Sequence, residues 1–102
     1  MQNELFDHTK HTLSESEFSA ILKAGAVVSV TALAAYHTTP EGQFTPIGFT
    51  LIIETRYFTG VLFTERGQVR RFRKLNTLWN WARGLGLKTL IIRERSHHET
   101  NS

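Results

Sequence analysis

The spacing of apolar residues changes along the chain, and each change marks an element. Phe18, Ile21 and Leu22 recur at i, i+3 and i+4, which predicts one buried stripe of a helix. Ser14 and Glu17 mark its start as the S-x-x-E capping box, with Leu13 and Phe18 placed as a hydrophobic staple. Gly25 supplies a left-handed stop. Over residues 26–37 the period becomes two. Val28, Val30, Ala32, Ala34 and Tyr36 alternate, and the β-branched content is high, so a strand is predicted. The small alanines leave room for a helix packed closely over this face. Residues 38–46, T-T-P-E-G-Q-F-T-P, combine both prolines of the chain with a glycine and polar residues and predict a loop.

Residues 47–54 and 57–64 are rich in Ile, Phe, Thr, Val and Tyr and read as strands. Their junction, E-T-R, lacks Gly, Asn and Pro, so it fits a tight hairpin or a bulge within one longer strand; the hairpin is preferred. At the next junction Gly67 stands where a turn needs positive φ, and residues 69–74 form the returning strand. Asn76 is a good N-cap for a second helix, with Leu78, Trp81, Ala82 and Leu85 as its apolar stripe and Gly86 as its stop. Residues 88–93, K-T-L-I-I-R, make a last strand, and the strand-helix-strand unit is long enough for a parallel crossover. Residues 1–12 are expected to be a mobile tail, and residues 95–102 a disordered polar one. The expectation is one α+β domain over residues 13–94, in the order α-β-β-β-β-α-β. Its sheet is mostly antiparallel, with two helices packed on one face. The other face is then solvated or covered by a partner.

Length agrees, because 102 residues suit a single domain. Cysteine is absent, which excludes disulfides and thiolate metal sites and removes any call for an oxidising compartment. No apolar stretch approaches the ~18 residues that span a bilayer, and the start of the chain has no secretory pattern. A cytoplasmic protein without membrane contact is expected. Charge changes the picture more. Residues 1–64 hold three Lys/Arg against six Asp/Glu, whereas residues 65–102 hold nine against three, an asymmetry that raises the prior for an anionic partner.

Candidate chemistry is sparse. His8-x-x-His11 could ligate a metal at one helical turn, but nothing places a carboxylate or an orienting partner with it and the segment is not convincingly helical, and His97 and His98 fall in the polar tail. His37, Glu54 and Glu65 flank strand ends without a pattern that brings them together for acid/base work. Gly84-x-Gly86 closes a helix, the wrong end for a phosphate cradle. No catalytic residue, metal, cofactor or small-molecule substrate is expected.

The densest signal is residues 66–75, R-G-Q-V-R-R-F-R-K-L, with five cations and no acid. On a strand, Arg71 and Arg73 project opposite Phe72, while Arg70 and Lys74 share its side. Arg66 and Arg83 extend the patch, and Trp79, off the apolar stripe, could stack on a base or a partner side chain. Phosphates would suit these residues, although basic side chains also guard exposed strands against aggregation. An exposed sheet edge near Tyr57, Phe58 and Trp79 could instead pair with another protein or form a homodimer.

Across residues 57–93, the R-R-F-R-K-L-N run, a helix ending in R-G-L-G-L and the strand K-T-L-I-I together resemble the small ParC-type partition-associated proteins of bacterial plasmids. The resemblance implies a non-catalytic accessory of plasmid maintenance, acting with a partition ATPase or a centromere-binding protein. It carries over no catalytic residue. The ribbon-helix-helix and helix-turn-helix patterns of centromere-binding partition proteins are missing, which favours an adaptor that binds protein.

Overall fold

The computed structural model describes residues 11–94. Strand β1 (His11–Leu13) leads into helix α1 (Glu15–Lys23), then β2 (Val27–Thr38), β3 (Phe44–Thr55), β4 (Thr59–Leu62), β5 (Arg71–Phe72), helix α2 (Leu75–Gly84) and β6 (Ile91–Glu94). The sheet order is β1-β4-β3-β2-β6, with β5 paired to β3 beyond the end of β4. Pairings made by β3 are antiparallel, while β1 with β4 and β2 with β6 are parallel. This is the expected α+β order in a single domain, with one short strand added in front.

That strand corrects the expected N-terminal tail. His11 and Thr12 are paired with Gly60 and Val61, and the His11 ring packs 4.5 Å from that of Phe58. Three residues are too few for a periodic pattern to reveal. The tail expected for residues 1–10 and 95–102, with His8, His97 and His98, lies outside the described residues.

Helix α1 forms as its residues dictate. The Ser14 hydroxyl accepts from the Glu17 amide at 3.2 Å, and the Glu17 carboxylate accepts from the Ser14 amide at 2.8 Å. At its other end Ala26 donates to Ile21 and Gly25 to Leu22, with Gly25 at φ +74. Helix α2 ends in the same motif through Leu87 and Gly86, and Leu87 folds into the core. Its start differs from expectation. Lys74, not Asn76, is the N-cap and makes no side-chain cap bond. Leu75 packs against the core as the first helical residue, and that burial moves the start ahead of the better capping residue.

Residues 54–58 form the hairpin. In the absence of Gly or Asn, the buried Thr55 hydroxyl organises it, accepting from the amides of Tyr57 (3.1 Å) and Phe58 (3.0 Å) and donating to the Phe58 carbonyl (3.0 Å). Two other turns share a five-residue form, T-P-E-G-Q at 39–43 and T-E-R-G-Q at 64–68. In each the threonine hydroxyl accepts from the glutamine amide, and the glycine donates to the threonine carbonyl. The expected loop over residues 38–46 therefore shrinks to its first half. Residues 44–46 continue β3, with Pro46 opposite Tyr36 beside a register shift, where a missing N–H is tolerated.

Both helices lie over one side of the sheet. Val30, Ala32, Leu51, Ile53 and Leu62 meet Phe18, Phe72, Leu78 and Ala82 in the core. Ala32 is fully buried in this core, whereas Ala34 also lines the cavity beside Tyr36. Trp81 joins the two helices, stacking on Phe18 at 5.8 Å and donating from Nε1 to Glu15 at 3.2 Å. β5 approaches β3 so closely that a Cβ on Gly48 would stand 2.6 Å from the Phe72 carbonyl oxygen. Only glycine fits there.

Candidate functional site

The side of the sheet away from the helices has no layer over it among the described residues. By register, Thr31, Leu33, Thr50, Ile52, Val61 and Ile91 share it, and each is half-buried or exposed. Ser29, Thr31, Leu33, Ile52, Glu54 and Ile91 line a concavity of about 360 Å³ there, together with Thr59 and Arg93. Glu54 accepts from the Ser29 hydroxyl at 3.0 Å at one end of this face. Arg71, opposite Thr50, and Arg93, opposite Leu33, flank the other. The arrangement is an apolar centre edged by charge of both signs, a surface suited to binding protein.

The basic stretch does not form one patch. β5 is only two residues long, and the chain bends at Arg73. Arg71 and Arg73 therefore do not share a face as an extended strand would require. Arg71 lies on the bare face, whereas Arg73 lines a cavity of about 520 Å³ whose walls include Ala34, Tyr36 and Glu94. Arg70 turns inward, its guanidinium 4.7 Å from the Phe72 ring centre and 5.9 Å from that of Trp81. Arg66 sits in the 64–68 turn, Lys74 stands at the N-cap position of α2 without capping it, and Arg83 occupies its last turn. Arg66, Arg71, Arg73, Lys74 and Arg83 are exposed, and no side-chain hydrogen bond or ion pair with another described residue holds their charged groups. Trp79 is half-buried in a groove of about 410 Å³ between α2 and the entry to β6, with Leu75, Leu90 and Ile92. Tyr57 is exposed and Phe58 is half-buried.

One pairing has no local sequence signal. In the cavity beside Arg73, the Tyr36 hydroxyl donates to Glu94 Oε2 across 58 positions of sequence. The hydrogen bond to Glu94 raises the Tyr36 pKa, with smaller contributions from desolvation and from the carboxylate's charge. Only the parallel pairing of β6 with β2 brings the two together. Glu54 lines its concavity without Glu65 or His37. No cluster of three potential metal-ligating side chains occurs among the described residues, and no described helix is long and apolar enough to cross a membrane. Comparison with family models, curated proteins and solved structures returns no match for this chain.

Proposed function

We propose that this is a non-enzymatic accessory protein of bacterial plasmid maintenance or partition, working in the cytoplasm as an adaptor whose protein partner lies on the bare face of the sheet. The plasmid context is what the sequence resemblance implies. The observation that carries the binding mode is the apolar centre of that face, Leu33, Ile52, Val61 and Ile91, left without a covering layer. A helix on one side of a sheet explains one buried face, and a second apolar face calls for a second cover. The test is binding of the purified protein to the purified partition ATPase and centromere-binding protein of its host. One of them is expected to bind, and Ile52→Lys to abolish binding while the thermal melt is preserved. Failure of both proteins to bind, or unchanged binding by Ile52→Lys, overturns the reading.

A nucleic-acid binder is the second reading, favoured by the five exposed cations that no described residue pairs. It expects a mobility shift of arbitrary duplex DNA at low salt, fading steeply as salt rises and weakened by Arg71→Ala with Arg73→Ala. No shift at any salt removes it.

A further inference from the structure

Among the described residues, β6 closes the sheet on the side away from β1 and pairs with β2 along one edge only. All four of its residues are exposed, Ile91 at 40% and Ile92 at 57%. An apolar outer strand with an unpaired row of backbone groups is a template for another strand. The segment that contains it, Lys88-Thr-Leu-Ile-Ile-Arg-Glu94, carries a cation at its start and an acid at its end. We propose that a second copy of this chain occupies the edge, with β6 antiparallel to β6 and Ile91 opposite Ile91.

Geometry restricts the register. A twofold axis normal to the sheet keeps the helices of both copies on the same side, and residues directly opposite in antiparallel strands point to the same side. Opposed residues must therefore both be odd-numbered or both even-numbered. Centring on Ile91, with the pairing carried back from β6 through residues 88–90, sets Leu90 against Ile92 and Lys88 against Glu94, each twice, on the helix side of the sheet. On the bare side it sets Ile91 against itself and Thr89 against Arg93. Apolar meets apolar, and opposite charges meet. Centring on Ile92 would set Leu90 against Glu94 and Ile91 against Arg93, leaving apolar side chains facing charges. Centring on Arg93 would oppose two like charges. Glu94 Oε2 accepts from Tyr36 in its own copy, which leaves Oε1 for Lys88 of the second. The groove that holds Trp79 contains Leu90 and Ile92 and adjoins this edge, so the pairing extends its apolar floor from one copy into the other. The backbone pairing and the helix-side pairs of this interface do not depend on what covers the bare face, with which it shares Ile91 and Arg93.

Lys88 precedes β6 by three residues and makes no ion pair with Glu94 within a single copy, and six residues of extended chain span about 20 Å. A charge exchange therefore reads the interface directly. Sedimentation equilibrium of the intact chain is expected to show a reversible dimer of the 11.7 kDa protomer. Lys88→Glu and Glu94→Lys should each weaken it on the order of tenfold, and the double exchange should restore it. Thr89→Glu, which places an acid opposite Arg93 without touching the core, should tighten it. Circular dichroism melts of each variant separate lost pairing from lost folding. A monomer at all concentrations up to about 1 mM, a dimer indifferent to these changes, or a double exchange no better than the single ones overturns the proposal.

Discussion

At the scale of single residues, side chains far apart in sequence settle each other's state. Tyr36 keeps its proton because Glu94 accepts the hydroxyl hydrogen, and ionisation would set a phenolate against a carboxylate. The folded pKa therefore stands above the unfolded one. The bond's contribution is fully present below the ordinary tyrosine value, about 10, and is lost as pH rises through the higher folded value. In a Tyr57→Phe background, the phenolate absorbance of Tyr36 is expected to appear only above the ordinary range, and Glu94→Gln to bring it back down. An ordinary midpoint in both proteins would show that the carboxylate does not hold this hydroxyl. Arg70 is likewise set by its packing, against one ring nearby in sequence and one on α2. Its sequence neighbours mark it as one cation of a basic run, but the rings of Phe72 and Trp81 take its guanidinium. Adjacent charges in sequence thus do not imply a shared surface.

Elements were legible where their boundaries are set within three or four residues. The capping box at Ser14 and Glu17 and the glycine stops at Gly25 and Gly86 depend only on local hydrogen bonds, and they form as their residue types require. The turn at Thr55 was harder to place, because a threonine hydroxyl does the work usually signalled by Gly or Asn. β1 and the continuation of β3 through Pro46 escaped for another reason. Both are strands by virtue of a partner, Gly60 to Leu62 in one case and Tyr36 to Thr38 in the other, and no local pattern carries that information. Helix α2 shows the cost of a tertiary override. Core packing of Leu75 fixes the start at Lys74, where no side chain caps the first amides and no acid lies in the first turn. Lys74→Asp supplies both a cap acceptor and a favourable charge at the helix N-terminus. It is expected to raise stability by about 1 kcal/mol in urea unfolding; a loss would mean that Lys74 has a structural task its exposed position does not reveal.

For the whole molecule, the deciding feature is that a one-sided sheet carries apolar residues on both of its sides. The run Leu51-Ile52-Ile53 is continuous, so the sequence alone does not say which member faces the helices. Register does: Leu51 and Ile53 are fully buried beneath α1 and α2, while Ile52 points to the bare side between Thr31 and Val61. The candidate cations were legible as a list but not as a surface, because their grouping depends on where β5 ends and the chain bends. Adjacent positions in β3 should therefore respond unequally to mutation. Leu51→Ala leaves a cavity under the helices and is expected to cost about 2–5 kcal/mol. Ile52→Thr keeps β-branching and exchanges an ethyl group on the bare side for a hydroxyl, so its stability change should stay within about 0.5 kcal/mol. Urea unfolding of the two variants reads this contrast directly. A penalty at Ile52 as large as that at Leu51 would mean that the second face is already packed within one chain, and the uncovered surface on which the adaptor reading rests would not exist.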